Sequence, residues 1–197
     1  MMKIIKIKNC IQYIKKITIG KINQDIWNKS LIHYSEIGDL QGVQHALKNG
    51  ANIHADSDFA FFVACTKGHI NVVQYLHEHG IKINRIHEPL NDQSLVEKSL
   101  QYTAEKGHLE VVKYLVSKGA DIQKEDCLAL RLAIHNNHIK IATYFLLDCD
   151  IKLTEIIENY LILGNQEEIL RLIEKRNLKK QLEDSLEKKV IHKKHKI

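Results

Sequence analysis

The chain has 197 residues, 44% hydrophobic and 27% charged, enough for one sizeable domain or two small ones and too apolar for wholesale disorder. Its net charge of +5 is unevenly spread: residues 1–22 hold six lysines and no acid, and 179–197 hold seven lysines against three acids, so the ends sum to about +10 and the middle to about −5. That leaves no basic stripe on a folded surface of the kind nucleic-acid binding needs, and no apolar run approaches the ~18 residues that span a bilayer.

Residues 1–26 are expected to form an N-terminal cap or extension. Ile4, Ile7, Ile11 and Ile14 recur at helical spacing, whereas IKIK and ITIGKI alternate as a strand would, so both conformations stay open. A cap would cover the open face of the first unit of the array that follows. The same lysine-rich segment, as an amphipathic helix, would instead lie on an anionic membrane. Its scattered lysines interrupt the apolar stretch that a secretory signal needs. Cys10, Cys65, Cys127 and Cys149 are widely spaced with no C-x-x-C pair, so reduced thiols and a soluble, intracellular, cytoplasmic protein are expected, with Cys65 packed as a small apolar residue.

From residue 27 the chain repeats itself. Residues 38–53 read GDLQGVQHALKNGANI, 68–83 read GHINVVQYLHEHGIKI, and 107–122 read GHLEVVKYLVSKGADI. Self-similarity at a period of ~20–50 residues marks a stacked-repeat architecture. Counting from the first glycine of each unit (Gly38, Gly68, Gly107, then Asn137 and Gly164 in two weaker copies), position −7 holds Leu31, Phe61, Leu100, Leu130 and Ile157. Position −4 holds Tyr34, Ala64, Thr103, Ala133 and Tyr160, and −3 holds Ser35, Cys65, Ala104, Ile134 and Leu161. These make the apolar stripe of one short helix. Downstream, +5 holds Val43, Val73, Val112, Ala142 and Ile169, and +8 holds Ala46, Leu76, Leu115, Phe145 and Leu172, the stripe of a second helix. The glycine between the stripes suits a tight turn at positive φ, and a second glycine ends the second helix, except that the fourth unit has Cys149 there. Helices of ~10 residues cannot bury an apolar face alone, so the units must stack.

Successive turn residues are 30, 39, 30 and 27 apart, which places an insertion at 84–94, NRIHEPLNDQS, read as an exposed loop with the single proline. The array is expected to span 27–177 in units of about 27–57, 58–90, 95–126, 127–154 and 155–177. Residues 178–197 then give a capping helix, with Leu178, Leu182 and Leu186 four apart, and a frayed basic tail.

GHLEVVKYLVSKGADI resembles the ankyrin repeat, and the resemblance extends over about 27–176. The T-P-L-H that commonly opens such a repeat is missing, and FAFFVACTKGH, SLQYTAEKGH and LALRLAIHNNH stand in its place, similar to the ankyrin arrays of giant DNA viruses of amoebae. The resemblance implies an all-α helical-hairpin solenoid of about five repeats that recognises a partner through the loops after each second helix and the inward end of each first helix. On this chain those loops are 54–58, 84–91 and 123–126, and the helix positions are Thr66, Glu105 and His135, with Lys67, Lys106 and Asn136 beside them. Phe59, Arg85, Ile86 and His87 add aromatic, basic and aliphatic groups of the mix found at interface hot spots, and Lys124 lies in the third loop.

Catalytic, cofactor and metal sites are not expected. No G-x-S-x-G, Walker loop, H-E-x-x-H or kinase motif occurs. His69, His108 and His138 recur at one repeat position, too far apart to share a zinc at ~2.0–2.1 Å per ligand, so bonding across the turn or to the neighbouring unit is expected of them. The expected partner is a protein, of the host if the chain is viral, bound by a monomer with no small-molecule substrate. The alternative is a nucleic-acid or anionic-membrane binder working through the basic termini, including KKVIHKKHKI.

Overall fold

A computed structural model of the protein describes residues 2–83, 95–149, 151, 154–163, 167–178 and 181, with side chains from residue 20 onward. The insertion at 84–94 and the tail from 182 lie outside the described residues. In chain order the helices are α1 (Met2–Ile37), α2 (Leu40–Lys48), α3 (Phe59–Thr66), α4 (Ile70–Glu78), α5 (Leu95–Lys106), α6 (Leu109–Ser117), α7 (Lys124–His135), α8 (Ile139–Thr143), α9 (Glu155–Leu163) and α10 (167–178). No strand occurs among the described residues.

The first helices of the units, α1, α3, α5, α7 and α9, pack side by side in one layer. The second helices α2, α4, α6 and α8 pack in another, and each hairpin closes one layer on the other. One continuous core runs between the layers. The recurrent positions explain it: Leu31, Phe61, Leu100, Leu130 and Ile157 are buried throughout, as are Val43, Val73, Val112, Ala142 and Ile169. Position +4 joins them with Val72, Val111 and Ile141. The first unit has Gly42 there, and a β-carbon on it would lie 2.4 Å from Cδ1 of Tyr34, so the tyrosine ring occupies the volume that valine fills elsewhere.

The alternation near the N-terminus is overridden: the backbone is one helix from Met2 to Ile37, running through the residue 26/27 boundary without a break. No turn residue interrupts it, since Gly20 sits mid-helix at a cost of about 1 kcal/mol relative to alanine. Side chains 20–26 are all exposed, and packing starts at Trp27, whose ring meets His45 edge-on at 5.3 Å. At the other end Ile169 and Ile173 of α10 enter the core, while Leu178, the first residue of the expected sealing stripe, is exposed. Leu182 and Leu186 lie outside the described residues.

Cys149 has a structural consequence. Gly50, Gly80 and Gly119 end their helices at φ +96, +136 and +92. Cys149 keeps φ −94, and α8 instead widens into a π-helical turn, Tyr144–Asp148, closed by the Cys149 N–H donating to the Tyr144 carbonyl at 3.1 Å. Arg176 of α10 donates to the Leu146 carbonyl of that turn at 2.7 Å, satisfying one of the acceptors a helix end leaves open.

Candidate partner-binding surface

The turns are held by a ladder between units. His69 Nε2 donates to the Glu36 carbonyl at 2.9 Å, His108 Nε2 to that of Thr66 at 3.0 Å, and His138 Nε2 to that of Glu105 at 2.7 Å. Each acceptor lies two residues before the turn of the preceding unit, where the last carbonyls of a helix have no partner within it. A carbonyl can only accept, so Nε2 carries the proton in every rung. This is the neighbouring-unit bond expected of the three histidines. It supplies connections between units in a chain without T-P-L-H. The imidazoles also lie against the turn glycines: a β-carbon on Gly38 would come within 2.4 Å of His69 Nδ1, on Gly68 within 2.5 Å of His108 Nδ1, and on Gly107 within 2.6 Å of His138 Cε1.

Burial lowers the pKa of His108, and charge on His69 and His138 lowers it further, against the opposing pull of the Thr66 carbonyl. His77, 2.7 Å from the Tyr114 hydroxyl on the outer layer, is lowered by burial and by Lys118, against Glu78. A histidine with a depressed folded-state pKa contributes stability that is present above its unfolded value of 6.5 and lost as pH falls below it. The urea midpoint is therefore expected to drop between about pH 7.5 and pH 5.5, and less so in His108→Gln. An equal drop in the variant would remove His108 from the account.

The ladder uses the main chain of the turn positions and leaves their side chains outward. Thr66 Oγ1 donates to the Val63 carbonyl at 3.1 Å, Lys67 pairs with Glu36 of the first unit at 3.4 Å, and Lys106 pairs with Glu105 at 3.0 Å. Lys124, at the start of α7, reaches Glu97 of α5 at 3.5 Å, and His135 is exposed. Arg85, Ile86 and His87 lie outside the described residues. The first loop is anchored, with Asn52 N–H donating to Asn28 Oδ1 at 2.7 Å and His54 Nδ1 donating to Asp58 at 2.6 Å.

Both loops before α3 and within the start of α7 turn left-handed. Asp56, Ser57 and Asp58 have φ 49, 58 and 67, and Glu125, Asp126 and Cys127 have φ 53, 54 and 58. The two triplets occupy the same repeat positions, twelve to ten before the turn residue. Each such residue costs about 1–2 kcal/mol, so the surrounding packing must hold the loops in shape.

Phe59 starts the most distinctive feature of the inner layer. It is 40% exposed and stacks on Phe62 at 5.8 Å, and Phe62 meets Tyr102 of α5 edge-on at 5.6 Å, with Tyr102 itself 45% exposed. Further along, the Arg131 guanidinium lies 5.5 Å from the ring of Tyr160, which is also exposed. Tyr102 was not singled out by sequence, and Tyr160, expected at −4 in the apolar stripe of the fifth unit, is exposed instead. The signal for Tyr102 was a tyrosine on the unburied side of a repeat helix.

A constant core, a bonded turn and an exposed face whose chemistry changes from unit to unit define a helical-repeat scaffold. The family model for ankyrin repeats matches residues 31–126 and 85–155, with three copies. Those spans cover more than half of the 197 residues, and the chain belongs to the ankyrin repeat family. No curated protein matches it. Ankyrin repeats are in general non-enzymatic modules for protein–protein interaction. Among the described residues no helix is long and apolar enough to cross a membrane.

Proposed function

We propose that this chain is a non-enzymatic intracellular scaffold that binds a protein partner, as a monomer, across its inner helix face and projecting loops. The observation that carries the proposal is the ring row Phe59, Phe62 and Tyr102, which runs from α3 to α5 with Phe59 and Tyr102 exposed and Phe62 half-buried between them. Aromatic groups on an ordered backbone are the usual hot-spot material, and a pre-ordered surface avoids part of the ordering cost of association. Thr66, Lys67, Glu105, Lys106, Lys124 and His135 would form the polar surround, with Arg85, Ile86 and His87 of the insertion added to it. The likeness of the units to arrays from giant DNA viruses of amoebae supports a host-cell protein as the partner.

The basic termini are a weaker basis for binding. At ~100° per residue, the register of Lys8 and Lys15 coincides with that of Ile4, Ile11 and Ile22, so the first helix lacks the separated faces that a membrane-surface helix needs.

The test is affinity capture from the native cell with the full chain and with Phe59→Ala/Tyr102→Ala. A specific partner should be held by the full chain and by a form lacking 1–22 and 188–197, and lost with the double variant. Capture that follows the termini, or that ignores the two rings, defeats the proposal.

A further inference from the structure

Nine before the turn glycine stand Lys29 in α1, Phe59 in α3 and Lys98 in α5, the first two exposed and Lys98 half-buried. Two ammonium groups therefore bracket an exposed ring. The neighbouring carboxylates are already engaged: Asp58 by His54, Glu36 by Lys67, Glu97 by Lys124 and Glu105 by Lys106. Lys29 and Lys98 have no carboxylate within ion-pair range among the described residues, and Asp25, one turn before Lys29, is no exception. The row thus carries two ammonium groups outside any ion pair among the described residues, on a repeat body whose overall charge is negative.

Geometry sets the ligand's spacing. Packed helices lie ~8–10 Å apart, so side chains at one position in α1 and α5 are ~16–20 Å apart. An extended chain rises ~3.3 Å per residue and covers that span in about five or six residues.

We propose that this row recognises an acidic peptide segment of the partner, with two carboxylates about five or six residues apart flanking an apolar side chain that lies on Phe59, Phe62 and Tyr102. The inference rests on the partner-binding proposal above and adds the chemistry of what is bound. Opposite charges at the two ends set register and speed encounter, while the central apolar group supplies most of the affinity.

A phage-displayed random peptide library selected on the full chain tests it. Enriched peptides should carry Asp or Glu at that spacing around a Phe, Leu or Trp. Lys29→Glu/Lys98→Glu, whose two sites are solvent-accessible, should keep its circular dichroism spectrum and enrich Lys or Arg at the same places. It should also bind the original peptide at least about tenfold more weakly by fluorescence anisotropy. Peptides that are neutral or basic, or indifferent to the charge reversal, overturn the acidic assignment alone. Enriched peptides that still bind Phe59→Ala/Tyr102→Ala overturn the inner-face proposal with it. An empty selection overturns the peptide proposal, and so does displacement of the peptide by inorganic polyphosphate of equal charge, since charge would then suffice without the apolar contact.

Discussion

Gly68→Ala is expected to destabilise the protein by about 2–3 kcal/mol in urea unfolding. Two causes add. Gly68 has φ +80, where a β-carbon costs about 1–2 kcal/mol. The new methyl would also stand 2.5 Å from His108 Nδ1, displacing the ring and breaking its bond to the Thr66 carbonyl, for roughly another 1 kcal/mol. Gly50→Ala separates the causes, because Gly50 has φ +96 but nothing within 4 Å of the added carbon. It should cost only the conformational part, about 1–2 kcal/mol. Combining Gly68→Ala with His108→Ala should cost less than the sum by about 1 kcal/mol, since the ring that clashes is gone. Equal costs for Gly68→Ala and Gly50→Ala would mean that the imidazole gives way freely and the ladder contributes little. The natural sequence contains a related contrast. The fourth turn carries Asn137 at φ +59, and the fifth unit has Asn165 in the place of the ladder histidine. Where the following unit brings no imidazole to the turn, a side chain is tolerated.

The stacked-hairpin fold was legible because its period is written in residues that must be buried. The columns at −7, +5 and +8 each reached the core at nearly every unit. The column at +4 was harder to see, because Gly42 breaks it, and only the Tyr34 ring that fills the space explains the break. The histidine rungs followed from recurrence and from the impossibility of a shared metal. The left-handed triplets at 56–58 and 125–127 were not legible, since neither contains glycine and their conformation is imposed from outside. Nor was the π-helical turn: Cys149 was visible as an exception, but its rescue by Arg176 joins residues 30 apart in sequence. At the surface, Phe59 stood out by type. Tyr102 became part of the same row only through the side-by-side packing of α3 and α5, a register between units that no single repeat encodes. Lys29 and Lys98 are conspicuous only after their neighbours' ion pairs are known.

Phe61→Ala should be the most damaging single core substitution. Phe61 is fully buried at −7 of the second unit, and removing an aromatic side chain from such a place costs about 3–5 kcal/mol. Its position matters as much as its size. In a stacked array each unit is stabilised only through its neighbours, so a weakened internal unit uncouples what lies on either side. Here α3 contacts both α1 and α5, and losing it separates the first unit from the third. The urea transition should therefore broaden and its slope fall, because less surface is exposed in one cooperative step. Leu161→Ala is the matched control, also fully buried but in α9, which meets the array through α7. It should cost about 2–4 kcal/mol locally while hydrogen exchange in α3 to α6 stays protected. If Phe61→Ala unfolds in a single transition of unchanged slope, the array folds as one indivisible body, and the nearest-neighbour description of its stability is wrong for this chain.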